Sequence, residues 1–164
     1  MRVRKILYRF FLVCSAIMLG LWLGGTLFHI LVIEPLWSQN PPDSLIFFFK
    51  QTRFTETIFN FFGPPWMAAR LIPLILCIFL GWKLSDVQKK YLITAGACWV
   101  FITAFTLVYI YPINEIIFLK AGGNNSKGVV EGLVHKWLFA DRFRFVIGFA
   151  GYISLLIALG KSNF

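Results

Sequence analysis

Apolar and polar positions fall in long blocks along this chain instead of alternating. Four apolar stretches, at about residues 10–33, 64–82, 91–118 and 145–159, the last extending back to 137, are separated by shorter polar connections. A run of about 18 or more apolar residues can carry a helix through the hydrocarbon of a bilayer. The pattern therefore predicts an all-α fold, a four-transmembrane-helix bundle with helices over about 8–33, 64–83, 89–118 and 137–160. The connections are too short for a separate soluble domain, so residues 1–164 form one transmembrane domain. Between the first two spans, Pro41-Pro42-Asp43-Ser44 is a helix-start signal. The stretch over about 44–61 has aromatic ends around a polar centre and is too broken to span. It suits an amphipathic interfacial helix lying at the membrane surface.

Composition sharpens this picture. The chain is 59% apolar, 18% aromatic and only 14% charged, with a mean hydropathy of +0.75, well beyond soluble domains. A net charge of +9 would suggest nucleic acid in a soluble protein. Here the basic residues flank apolar spans, so the expected partners are lipid head groups of the bilayer, with no nucleic acid. Met1-Arg2-Val3-Arg4-Lys5 imitates a signal-peptide start, but the apolar run behind it is too long and lacks a cleavage site. It is expected to remain as helix 1, with both termini cytoplasmic and the chain in a bacterial inner membrane. Cys14, Cys77 and Cys98 fall in no metal or redox spacing.

Candidate chemistry gathers near one end of each span. His29 and Glu34 close helix 1, and Arg70 lies roughly 9 Å into helix 2 at 1.5 Å per residue. Tyr111-Pro112-Ile113-Asn114-Glu115 closes helix 3, where the proline removes a backbone donor and leaves a carbonyl one turn back unpaired. That segment is either a fraying helix end or an amide and a carboxylate set beside a buried site. Trp137, Asp141, Arg144, Gly148, Gly151 and Leu155 follow 4-3-4-3-4 spacing and share one helix face, polar above and small below. Arg142 points about 160° away from Arg144 and reaches the interface. Arg70 either snorkels to the surface or takes part in a site. Gly20-x-x-x-Gly24 lets another helix approach closely. Glu131 and His135 stand at i, i+4, a spacing that forms a surface pair or a weak metal signal; no metal is predicted. With alternating topology all the polar groups meet on one side of the membrane, which points to a pocket open to the outer leaflet.

The chain resembles the anthrone-oxygenase-like membrane proteins, small four-helix proteins mostly of unknown function. The likeness lies in Gly24-Gly25-Thr26-Leu27-Phe28, in Thr106 followed by Pro112-Ile113-Asn114, and in Trp137-x-x-x-Asp141-x-x-Arg144. The sequence departs from that family at Asp141, where a histidine often stands, and at Ile110, where an asparagine often stands. An imidazole must then come from His29 or His135. The resemblance implies, for some members, oxygenation of an anthrone or polycyclic phenol with no metal, flavin or other cofactor. On that basis His29, Asn114 and Arg144 are the candidate catalytic residues, as base, orienting amide and cation. Arg70, Tyr111, Trp137 and Asp141 are the candidate substrate-binding residues, around a hydrophobic aromatic small molecule such as an anthrone or quinol. The alternative is a non-enzymatic protein that binds a lipid or quinone, or a subunit of a membrane complex, in which the arginines neutralise Glu34, Glu115 and Asp141.

Overall fold

The computed structural model describes residues 2–49, 62–83, 86–119 and 125–162, and all the regular structure among them is helical. The chain opens with α1 (Arg2–Phe28), passes through one π turn (His29–Ile33) into α2 (Glu34–Ser38), and after a short turn forms α3 (Asp43–Phe49). Then come α4 (Pro64–Leu80) with a 3-10 turn (Gly81–Lys83), and α5 (Asp86–Phe105). A second π turn (Thr106–Ile110) leads into α6 (Tyr111–Asn114), a third spans Glu115–Leu119, and α7 (Lys127–Gly160) completes the chain. Three continuous rods, Val3–Ser38, Val87–Phe118 and Lys127–Gly160, are long and apolar enough to cross a membrane. The apolar helix Pro64–Leu80 is shorter and packs against α1 and α5.

The rods and the shorter helix turn large apolar side chains outward, among them Phe10, Ile17, Leu31, Phe79, Val108 and Phe139. Lipid tails, not water, suit such a surface. Inside, two apolar cores form. One joins Leu12, Leu19 and Trp22 of α1, Leu74 of α4, Trp99 and Ile102 of α5 and Leu155 of α7. The other joins Trp37, Leu45, Ile113, Ile117, Val134 and Trp137. Along each rod a group of buried polar residues stands between the stretches that supply these cores: Thr26, His29 and Glu34 on the first, Thr106 on the second, Asp141 and Arg144 on the last; Ser15 and Gln88, also buried, lie apart from it. Glycines let the last rod close on its neighbours. A Cβ at Gly151 would stand 2.8 Å from the Cβ of Cys98, and one at Gly148 3.0 Å from Trp22. Gly20 meets Tyr152 in the same way, whereas nothing lies within 4 Å of a Cβ at Gly24, so only the first glycine of that pair mediates close packing.

The helix boundaries differ from expectation in three places. The last helix starts at Lys127 rather than near 137. Its first turns are amphipathic, burying Val130, Val134 and Trp137 against Trp37 and Ile113 while Lys127, His135 and Lys136 stay exposed. Apolar run length therefore underestimates helix length, and Arg144 stands near the midpoint of a 34-residue helix instead of at its start. The first helix begins at Arg2. Of the expected interfacial helix over 44–61, the part Asp43–Phe49 is helical and buries Leu45, and the rest lies outside the described residues.

Candidate functional site

Two wide turns shape the site. The ring of a proline inside a helix collides with the carbonyl four residues back and offers no N–H to it. In both places the residue just before the proline bonds five residues back, the N–H of Glu34 to the His29 carbonyl and the N–H of Tyr111 to the Thr106 carbonyl. The extra residue widens the turn where the ring must fit. A π turn also brings i and i+5 onto one face, which an α-helix would set about 140° apart. His29 thereby comes into line with Glu34, and Thr106 with Tyr111. The helix around Pro112 does not fray; it continues to Leu119.

Between these turns and α7 lies a partly open cavity of about 60 Å³ lined by Thr26, His29, Phe49, Phe62, Gly63, Thr106, Ile110, Tyr111, Asn114, Phe118, Trp137, Asp141 and Arg144. Six of the seven candidate residues, His29, Tyr111, Asn114, Trp137, Asp141 and Arg144, therefore face one space. Arg70 does not line it. It stands beside a second, smaller chamber that shares Phe62, Thr106 and Arg144 with the first.

Arg144, though nine-tenths buried, is well held. Its Nη2 pairs with Oδ1 of Asp141, one turn earlier on the same helix. Its Nη1 donates to Thr106 Oγ1 at 3.3 Å. That hydroxyl donates in turn to the Ile102 carbonyl at 2.8 Å, which leaves its lone pairs for the guanidinium. The Nε of Arg144 is buried without a partner. Asn114 accepts from the Trp137 indole N–H at 2.5 Å.

His29 meets two carboxylates. Its Nδ1 stands 3.5 Å from Oε1 of Glu34 and 3.9 Å from Oδ2 of Asp141. Glu34 is 1% exposed, and its Oε2 faces Arg142 Nη2 at 3.4 Å. Neither Glu34 oxygen, nor Asp141 Oδ2, makes a hydrogen bond, so these groups interact at charge distance. Arg142 turns outward as its helical position predicts, with its side chain more than half exposed, yet it still caps this buried acid. Ligand atoms of His29, Glu34 and Asp141 lie within 4.8 Å of one another, near enough to share a cation. Each carboxylate already faces an arginine through its other oxygen, so a divalent ion would add two charges to a layer compensated on its acidic side. Glu131 faces Lys127 at 3.9 Å and His135 is exposed, an ordinary surface arrangement.

Aromatic rings wall the pocket. Trp137 lies 5.5 Å from His29, 5.5 Å from Phe118 and 5.2 Å from Trp37, between centroids. Phe49 closes on Phe118 at 4.6 Å. Reasoning from sequence placed Glu34 near the pocket without assigning it to catalysis or substrate binding, did not choose Thr106, and missed the Trp22 ring beneath both buried arginines. The available signal for the first two was a proline six residues beyond a polar side chain in two spans, Pro35 after His29 and Pro112 after Thr106.

Fold and site together define an all-helical chain, with rods suited to a membrane and an ionisable cluster buried between two apolar cores. Comparison with family models, with curated proteins and with solved structures finds no match to this chain.

Proposed function

We propose that this chain is a four-span protein of a bacterial inner membrane, with cytoplasmic termini, whose pocket binds a hydrophobic aromatic molecule through an ionisable oxygen and oxygenates it. The helix Pro64–Leu80 and the 3-10 turn after it supply the remaining span, which at 1.5 Å per helical residue is close to the roughly 30 Å of the hydrocarbon core. The observation that carries the functional reading is the meeting of an imidazole, an amide and a buried guanidinium from three rods around one aromatic-walled space. The resemblance to anthrone-oxygenase-like proteins supplies the reaction class.

In this reading one ring of the substrate enters the cavity and the remainder extends through its open side. The amide N–H₂ of Asn114 and the guanidinium of Arg144 hold the ring oxygen. His29, its Nδ1 turned to Glu34 and Asp141, takes the ring-carbon proton at Nε2, and the carboxylates stabilise the imidazolium. The resulting anion spreads its charge onto the oxygen held by Arg144. It passes one electron to dioxygen, giving a substrate radical and superoxide, which combine. The imidazolium returns its proton to give a hydroperoxide, and loss of water leaves a new carbonyl. One CH₂ and one dioxygen thus become one carbonyl and one water.

A second reading, non-enzymatic binding of a quinone or lipid, is favoured by the pairing of Arg144 with Asp141 on its own helix. Oxygen uptake by the purified protein with an anthrone or a hydroquinone separates the two. Turnover above the uncatalysed rate, lost in Arg144→Ala and Asn114→Ala variants that keep their helicity, is expected. Saturable binding of either compound without oxygen uptake would transfer the pocket to the second reading.

A further inference from the structure

Arg70 reaches inward from α4 and Arg144 from α7, and both guanidiniums lie over the Trp22 ring, at 5.3 and 5.7 Å from its centroid. A ring face attracts a cation but does not neutralise it. The partners of the two arginines are unequal. Arg144 has Asp141, whereas Arg70 donates its Nε to the carbonyl of Trp66, one turn back, at 3.0 Å. Glu34 is taken up by Arg142. Among the described residues of this layer three arginines therefore face two carboxylates, and the surplus positive charge stands on Arg70. Its Nη1, like the Nε of Arg144, is buried with no hydrogen-bond partner.

Both arginines line the second chamber, about 10 Å³ in size, whose other walls include Trp22, Trp99 and Ile102. That is room for roughly one water-sized particle. We propose that this chamber is a subsite for one small monovalent anion, of halide or superoxide size, held between Arg70 and Arg144. It is too small for a phosphate or a lipid head group. One negative charge balances the surplus on Arg70, and the unpartnered donors supply hydrogen bonds to it. The chamber borders the main pocket through Thr106 and Arg144, so an anion formed there has a short path into it. The identification with superoxide rests on the oxygenase reading; binding of a halide does not.

The test uses bromide, whose heavy atom quenches tryptophan fluorescence on contact and which would sit against Trp22 and Trp99. The full-length protein in detergent is titrated with bromide against gluconate at constant ionic strength. The expected result is a saturable quenching component that chloride displaces, at least tenfold weaker in Arg70→Gln and retained in Arg70→Lys. Quenching of the parent that stays linear in bromide, with no competition by chloride, overturns the proposal whether or not the variants fold. A saturable component unchanged in folded Arg70→Gln overturns it equally. Saturable bromide binding in a protein that takes up no oxygen with an anthrone leaves the subsite standing and removes the oxygenase reading instead.

Discussion

The indole N–H of Trp137 donates to Oδ1 of Asn114 at 2.5 Å, tying the last rod to the second in the wall of the pocket. Since the amide oxygen is taken, the N–H₂ group is the end left for a ligand oxygen. Asn114→Asp keeps the acceptor for Trp137 and loses the donor, so it should leave thermal stability nearly unchanged. Affinity for an anthrone or hydroquinone should fall about ten- to a hundredfold, as expected for about 1.5–3 kcal/mol in a hydrogen bond to a charged group. Asn114→Leu should lose both affinity and stability. Titration calorimetry and thermal unfolding in detergent distinguish these outcomes, and an Asp variant that binds as tightly as the parent would remove the amide from the site.

Pro112 forces the wide turn that sets Tyr111 over Thr106. Pro112→Ala restores a backbone donor and removes the ring clash, which should stabilise the helix by up to about 3 kcal/mol. Relaxation to an α-helix would then rotate everything after it by about 100° and carry Asn114 off the pocket face. The same rotation takes Ile113 and Ile117 out of the second core and breaks the Trp137–Asn114 bond, so the expected outcome is a variant that no longer binds the aromatic ligand and gains nothing in unfolding temperature. Higher stability with unaltered binding would show that the turn is incidental to the site.

Close approach of the last two rods rests on Gly151, whose absent Cβ leaves the space taken by Cys98 and Trp99. Gly151→Val should destabilise the bundle by about 1–3 kcal/mol, the usual cost of overpacking. Gly24→Ala, on a face with open space, should be neutral or slightly stabilising, because alanine is the better helix former. Thermal unfolding of the two variants side by side checks this, and equal losses would contradict the packing described.

Much of the framework was legible in the order of residues. The helical class followed from apolar run length, and the buried face of the last helix from its spacing: Trp137, Asp141, Arg144, Gly148, Gly151 and Leu155 are all buried. The extent of that helix was not legible, because Lys127, Glu131 and His135 mask an amphipathic stretch that packs by Val130 and Val134. Nor was the partnership of His29 with Glu34. An α repeat separates positions five apart, so Glu34 read as a helix end and not as a neighbour of the imidazole. The placement of Arg70 beside another cation, with no carboxylate paired to it among the described residues, could not be read from either helix alone, since it depends on how α4 and α7 meet around Trp22.

The π turn at His29–Ile33 has an evolutionary corollary. It is equivalent to one residue inserted into an otherwise regular helix, so a homologue lacking that residue would carry His-x-x-x-Glu in place of His-x-x-x-x-Glu and still present both side chains together. Alignments that penalise a gap inside a hydrophobic span would misregister such proteins by one position, pairing the histidine correctly and the acid with Ile33.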